Sequence, residues 1–194
     1  MAENETEEQK EGVDEHGLVV HEYASRVLVL VPAEGFSETS LRYARSALHN
    51  IHVGTVSAST EFDDLVHGEL QDEFQVDRRL DASLSMGEFS GLLLAGGAGA
   101  TALAENPEVL RLVKEANAHG KLIGAWESAV AILARAGVVA KRRVTGDPAF
   151  REEVRSAGGR FTGTQLETDH NLVTALDDAA GFRFAKALAA VVRI

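Results

Sequence analysis

Four short polar or glycine-rich segments carry the side chains best suited to chemistry, and three of them come at the ends of predicted strands. Ligands of parallel α/β sheets bind beyond the carboxyl ends of the strands, so these positions are the candidates for a site. The segments are 34–40 (EGFSETS), 96–99 (GGAG), 126–128 (WES) and 146–148 (GDP). They offer carboxylates, hydroxyls and backbone amides but no thiol, because the chain contains no cysteine. Thiol nucleophiles, disulfides and thiolate metal sites are therefore excluded.

The glycine segment 96–99 could present backbone N–H groups to an oxyanion or a phosphate. It fits neither the GxGxxG pattern nor the Walker pattern with its lysine, which disfavours a nucleotide site. A tight structural turn is the alternative interpretation. No cofactor is predicted from this segment.

Composition sets limits on the partners. The 194 residues are 45% hydrophobic and 25% charged, which predicts one ordinary globular core. The net charge of −11 disfavours nucleic acid and anionic membrane surfaces as partners. No apolar run approaches the ~18 residues of a membrane span, and the N-terminus does not resemble a signal peptide. We expect a cytoplasmic protein.

The acidic charge is concentrated at the N-terminus. Residues 1–16 hold seven acidic side chains against one basic side chain. Such a segment cannot bury enough apolar surface to offset its ordering entropy, so it is predicted to be disordered. We therefore divide the chain into an acidic tail, residues 1–24, and one domain, residues 25–194.

Strands and helices are predicted to alternate along this domain. Continuous apolar runs indicate buried parallel strands, and apolar residues at helical spacing between caps and glycines indicate helices. The predicted strands are 26–32, 51–57, 91–95, 121–126 and 171–175, and the predicted helices are 37–49, 106–120, 127–136, 147–159 and 181–193. A polar, alternating stretch around His67-Gly68 predicts an antiparallel edge hairpin. This order predicts a three-layer α/β/α sandwich.

Four segments in this order carry a resemblance to a known family. They are LVLVPAEGF, LLLAGGAGA, the long stretch from AENPEVL to VTGDP, and GFRFAKALAAVV. From residue 26 onwards the chain resembles the ThiJ/PfpI superfamily, relatives of the class I glutamine amidotransferases. The resemblance implies a flavodoxin-like, mostly parallel sheet and a homodimer. It also implies glyoxalase, deglycase, chaperone or peptidase activities, which the family owes to a cysteine at a sharp elbow.

The family's reactive residues are replaced in this chain. The elbow cysteine falls on Glu127, and the histidine that commonly follows it falls on Ser128. The glutamate that contacts the cysteine falls on Ser40, with Glu38 at a neighbouring acidic position. The histidine that some members carry after the VTG strand falls on Asp147.

The glycine pair that supplies an oxyanion-hole amide is retained as Gly96-Gly97. The resemblance therefore implies that the pocket persists without its thiol chemistry.

Glu127 is the candidate centre of this pocket. At the elbow it should adopt a strained backbone conformation and point into the pocket, where the following helix N-terminus favours its ionised form. It is a candidate general base or nucleophile, a ligand-binding acid, or simply a helix cap. Ser128 and Ser40 are its candidate catalytic partners, although GAWESA lacks the GxSxG pattern of serine hydrolases.

The other candidates each have a structural alternative. Asp147 precedes Pro148 as an N-cap, or forms an acid/base pair or divalent-metal site with Glu127. Trp126 is a core side chain or touches a ligand, and His67 is a surface histidine or reaches a partner's pocket. No histidines have the HxH or HxxxH spacing of a metal site, and no metal is predicted.

Three functions remain open. The favoured one is binding of a small polar ligand, or a role as an interaction module, without cysteine-dependent catalysis. Gly96, Gly97, Trp126, Glu38 and Asp147 would then surround the ligand with Glu127. The second is hydrolysis or proton transfer on a small carbonyl or amide compound through Glu127. The third is a stress-related role of the surface, which a pocket plugged by Trp126 would support.

Overall fold

The computed structural model describes residues 11–13, 19–21, 23, 25–62 and 65–192. The strands are β1 Glu11–Val13, β2 Val19–His21, β3 Ser25–Leu30, β4 Glu34–Phe36, β5 Val53–Ser59, β6 Val66–Gly68, β7 Glu73–Phe74, β8 Arg78–Arg79, β9 Gly91–Leu94, β10 Leu122–Trp126, β11 Arg143–Val144, β12 Arg160–Phe161, β13 Leu166–Asp169 and β14 Leu172–Ala175. The α-helices are α1 Glu38–His49, α2 Ala100–Leu103, α3 Pro107–Ala118, α4 Val130–Arg135, α5 Arg151–Ser156 and α6 Gly181–Val191.

A seven-stranded sheet forms the middle layer, in the order β13-β14-β10-β9-β3-β5-β8. All neighbours in it are parallel except β13 and β14. Alternate residues of β3 point to opposite faces, so Leu28 and Leu30 join one hydrophobic cluster with α3 and α4, whereas Val27 and Val29 join another with α1 and α6. Helices cover both faces of the sheet, and the predicted three-layer α/β/α sandwich is confirmed.

The apolar strands lie within two residues of their predicted bounds, but the sheet edges differ from prediction. The antiparallel hairpin exists as β6 and β7, with its turn after Gly68. It belongs to a separate three-stranded sheet with β4 rather than to the edge of the main sheet. The edges of the main sheet are β8 and the antiparallel strand β13. The sequence analysis missed β13, because its residues LETD are only partly buried and carry no apolar run.

Within the predicted tail, the structure describes β1 and β2 as an antiparallel pair, with Gly12 opposite Val20. These two strands lie inside the segment 1–24 that the sequence analysis assigned to an acidic tail. Most other residues of the tail lie outside the described ones. Among the described residues, no helix combines the length and the apolar character that a membrane span requires.

Candidate functional site

Glu127 occupies a sharp turn between β10 and α4. The strand ends at Trp126, a 3-10 turn spans Glu127–Ala129, and α4 begins at Val130. The φ angle of Glu127 is 53°, in the left-handed region that costs a residue with a Cβ atom free energy. The predicted strained elbow is therefore present.

The carboxyl group of Glu127 is held in an environment that favours its protonated form. Burial, followed by the negative charge of Asp178, raises its pKa to about 7, and the charges of Glu69 and Asp177 act in the same direction. A hydrogen bond from Ser37 opposes the rise in pKa. Burial and the neighbouring negative charges therefore oppose the ionised form of Glu127 that the helix N-terminus is expected to favour.

Asp178 and two serines form a hydrogen-bonded network behind Glu127. The Ser37 hydroxyl lies 2.8 Å from Asp178 Oδ1 and 3.2 Å from Glu127 Oε1. Asp178 Oδ1 also accepts the backbone N–H of Ser40 at 2.9 Å and its hydroxyl at 2.5 Å. Ser40, a predicted partner of Glu127, thus contacts Asp178, and Ser37 bridges the two acids.

The glycine segment packs tightly against both the elbow and α1. Gly97 has a φ of 102°, and a Cβ atom there would lie 2.4 Å from the carbonyl oxygen of Gly35. Only glycine fits this position. The buried Ser128 hydroxyl donates to the carbonyl oxygen of Gly97, and the N–H of Ser37 donates to the carbonyl of Gly96 at 2.9 Å. Ser128 therefore connects the elbow to the glycine segment.

An acidic side chain of the protein itself is bonded to the glycine segment 96–99, whose backbone N–H groups were predicted to face an anion. The backbone N–H of Ala98 donates to Glu69 Oε1 at 2.6 Å. Glu69 comes from the turn between β6 and β7, and this turn is held by Glu38, whose buried carboxylate accepts the N–H of Leu70. Glu38 therefore positions the turn rather than facing the cavity.

A cavity of about 560 Å³ opens beside the elbow. Four acidic residues line it and no lysine or arginine does; the lining residues are Glu69, Gly97, Ala98, Glu127, Ser128, Asp147, Pro148, Leu176 and Asp177. Asp147 both lines this cavity and caps the following 3-10 turn, since its carboxylate accepts the N–H of Ala149 at 2.9 Å. Its own N–H donates to the carbonyl of Glu127 at 3.1 Å.

Several predicted site residues lie outside the cavity lining. The Trp126 ring is fully buried and packs edge-on against Phe184, with 5.5 Å between ring centroids. Its predicted ligand contact is not supported, because strand alternation turns it into the core beneath α6. Ser40, Glu38 and Gly96 are also buried behind the cavity, where they connect the elements that form it.

The sequence analysis included Ser37 only as part of the segment 34–40, and it missed three acidic residues of the site: Glu69, Asp177 and Asp178. The acidic pair directly follows β14, so the rule for strand ends could have found it. Glu69 lies on a hairpin turn and no local signal indicated it.

Among the described residues, no group of three or more histidine, aspartate or glutamate side chains is arranged to hold a metal ion. Glu127 and Asp147 alone supply too few ligands for the divalent-metal site considered above.

Comparisons with known proteins agree with the fold. The computed structure is similar to the crystal structure of a ThiJ/PfpI domain protein from Brachyspira murdochii, with a TM-score of 0.80 and 21% identity over 86% of this chain and 95% of that one. It is also similar to Drosophila melanogaster DJ-1beta, with a TM-score of 0.77 and 23% identity over 87% of this chain and 90% of that one.

A third similar structure is that of a cysteine-to-alanine mutant of a DJ-1 superfamily protein from Salmonella typhimurium. Its TM-score is 0.73 and its identity 26%, over 86% of this chain and 89% of that one. No curated protein sequence matches the chain significantly. A sequence model of the DJ-1/PfpI family matches residues 25–191. The chain belongs to the DJ-1/PfpI family as a member that lacks the elbow cysteine.

Proposed function

We propose that this protein binds a small cationic or hydrogen-bond-donating ligand at Glu127, without cysteine-dependent catalysis. The observation that carries the proposal is the acidic lining of the cavity, four carboxyl groups with no lysine or arginine among the lining residues. A positive ligand would offset the repulsion between these groups. An anion would meet the same repulsion and would find the Ala98 amide already bonded to Glu69.

Because the pKa of Glu127 is raised, the affinity for a cation should depend on pH. A cation binds the ionised carboxylate more strongly than the protonated acid, and the pKa of about 7 leaves Glu127 largely protonated at mildly acidic pH. Affinity should therefore increase as the pH rises through neutrality. Binding near pH 7 should also release a proton.

Calorimetric titration of the full chain tests the proposal. The panel comprises ethylamine and methylguanidine as cations, acetamide as a neutral compound and acetate as an anion, each measured on both sides of neutral pH. We expect binding of at least one cation, stronger on the alkaline side, and its loss in Glu127→Gln. Glu152→Gln is the matched control, because Glu152 is exposed on α5. No cation binding by the wild-type protein, or equal binding by Glu127→Gln, would contradict the proposal.

A second candidate is a hydrolase or lyase that acts on a small carbonyl or amide compound. The supporting observation is again the Glu127 pKa of about 7, since a general base is most effective when its pKa lies near the working pH. Ser128 is a weaker candidate nucleophile, because its hydroxyl already donates to Gly97. Turnover of such compounds that disappears in Glu127→Gln would favour this function over simple binding.

Assays of the family's thiol-dependent activities test whether Glu127 marks the position of the site. With no cysteine in the chain, the soft nucleophile that the family's glyoxalase activity uses is absent. We therefore expect no methylglyoxal turnover. Turnover that is equally fast in Glu127→Ala would show that the site lies elsewhere.

We also propose that the protein is a pseudoenzyme, in the sense that it lacks the family's cysteine-dependent catalysis. A homodimer and a cytoplasmic location are further parts of this proposal. The exposed apolar side chains Tyr43 on α1 and Leu70 on the hairpin turn support a dimer that uses one or both of these elements. A function of the surface alone has less support, because the cavity is open and Trp126 does not fill it.

A further inference from the structure

Asp178 makes an unusual set of contacts for a residue that does not line the cavity. Its Oδ1 atom accepts the Ser37 hydroxyl, the Ser40 hydroxyl and the Ser40 backbone N–H, all within 2.9 Å. Both serines lie more than 130 positions away in the chain. Asp178 itself precedes α6, so these bonds connect the beginnings of α6 and α1.

These contacts replace the usual cap of α1. Ser37 holds the N-cap position, from which a serine side chain normally accepts the N–H of the third helical residue, here Ser40. In this protein Ser37 makes no side-chain cap bond, and Asp178 accepts that N–H instead. The carboxylate also lies favourably at the helix N-terminus. As a result, the Ser37 hydroxyl is released from capping and turned toward Glu127.

The bridging hydroxyl has one proton and two acidic neighbours. Ser37 can donate to Asp178 or to Glu127, but not to both at once. Its bond to Asp178 is the shorter of the two, at 2.8 Å against 3.2 Å for the bond to Glu127. The hold of Asp178 on this hydroxyl therefore leaves the Glu127 carboxylate with the weaker share of its only side-chain donor among these contacts.

We propose that Asp178 is a positioning residue for Glu127, which it controls by holding the Ser37 hydroxyl between the two carboxyl groups. This inference rests on the proposed role of Glu127, but its test requires no ligand. Other acidic groups also surround Glu127: Glu69 from the hairpin turn and Asp177 beside Asp178 act on its carboxyl group, and Asp147 lines the same cavity. Asp178 differs from them because it is joined to Glu127 through a side-chain bridge.

The test is an NMR titration of the Glu127 carboxyl carbon in the full-length protein. Asp178→Asn keeps the size of the side chain and an oxygen to cap α1, but it removes the charge. We expect the titration midpoint of Glu127 to fall by about one pH unit, because a like charge is removed nearby and Ser37 is freed to donate to Glu127. In a Ser37→Ala background the same substitution should lower the midpoint by clearly less, since only the charge effect is left. Ser37→Ala should move the midpoint in the opposite direction, because the Ser37 bond lowers the pKa of Glu127.

Asp177→Asn is the matched control, since the negative charge of Asp177 raises the pKa of Glu127 less than that of Asp178 does. It should shift the midpoint less than Asp178→Asn does. An unchanged midpoint in Asp178→Asn, or a shift no larger than that of Asp177→Asn, would overturn the proposal and leave Asp178 as a helix cap only. If Asp178→Asn does not fold, Ser37→Ala decides: an unchanged or lowered midpoint would overturn the proposal. Cation titrations are a separate measurement, so failure of the proposed function would be recognised independently.

Discussion

Glu127 combines two unfavourable features, a left-handed backbone and a carboxyl group among other acids. The φ of 53° and the pKa of about 7 both result from the elbow, which forces this side chain toward the cavity. Strain and like charges of this kind are retained where the surrounding structure imposes them, and they concentrate at functional sites. The same environment that would make Glu127 useful to a ligand should therefore weaken the unliganded protein.

The stability of Glu127→Gln should depend on pH. The pKa of Glu127 is about 7 when folded, against 4.5 as its ordinary value. Between these two pH values the folded protein holds a proton that the unfolded chain has lost, so the free energy of unfolding falls as the pH rises through this window. Glutamine does not titrate, so the free energy of unfolding of Glu127→Gln should not show this decrease. We expect the difference in melting temperature to shift in favour of Glu127→Gln from about pH 5 to about pH 8.

Thermal unfolding of both proteins across this pH range checks the expectation, with Glu152→Gln as the control for loss of an exposed charge. A melting temperature of Glu127→Gln that follows the wild-type curve at a constant offset would contradict the raised pKa. The comparison must be made at several pH values, because at one pH the effect of lost charge cannot be separated from that of a lost bond to Ser37.

Ser128 should contribute to stability more than to binding. Its buried hydroxyl donates to the carbonyl of Gly97, so Ser128→Ala leaves that acceptor short of one donor. We expect a loss of ~1 kcal/mol in the free energy of unfolding. Denaturant titration measures it, and cation affinity should stay close to wild type. A large loss of affinity without a loss of stability would instead indicate that Ser128 touches the ligand.

Close contacts hold the elements around the site in place. The clearest example is the contact between the β6–β7 hairpin turn and α1. The turn after β6 carries Glu69 to the cavity, and Glu38 on α1 fixes that turn through the N–H of Leu70. Gly68 leaves room for the Glu38 carboxylate, since a Cβ atom there would lie 2.1 Å from its Oε1. Correct placement of Glu69 therefore depends on a small residue at position 68.

Gly68→Ala should displace the hairpin. The added methyl group cannot be accommodated unless Glu38 or the turn moves, and overpacking of this kind costs ~1–3 kcal/mol. Gly87→Ala is the matched control, because the nearest atom to its added Cβ, Ser85 Oγ, is 3.5 Å away. Denaturant titration should show destabilisation only for Gly68→Ala. Equal stability of the two variants would show that Glu38 moves freely and does not fix the turn.

The parts of this architecture that the sequence revealed are those with a local pattern. The strands β3, β9 and β10 are continuous apolar runs, and Asn106-Pro107 begins α3 with a cap that the structure confirms. The elbow at Glu127 followed from the family resemblance. The bridge from Ser37 to Asp178 could not be predicted, because it joins residues 141 positions apart and only the folded sheet brings them together.

At the scale of the whole molecule, exposed apolar side chains lie on the elements predicted to form a homodimer. Leu70 on the hairpin turn is 67% exposed and Tyr43 on α1 is 45% exposed. The hairpin belongs to a small three-stranded sheet in which β7 is an edge strand, and such edges are usually covered in native proteins. Phe182 on α6 is 69% exposed and lines a surface pocket together with Tyr43.

Light scattering at micromolar concentration should give the mass of a dimer. Tyr43→Glu and Leu70→Glu each place a charge on the proposed interface, where it would be desolvated or repelled by its symmetry mate, so each should shift the mass toward that of a monomer. Ala140→Glu is the control, because it adds the same charge at an exposed position after α4. A monomeric wild-type protein would exclude the dimer. If only one of the two variants dissociates, that variant identifies the element that forms the interface, and a dimer that survives both substitutions must use another face of the sandwich.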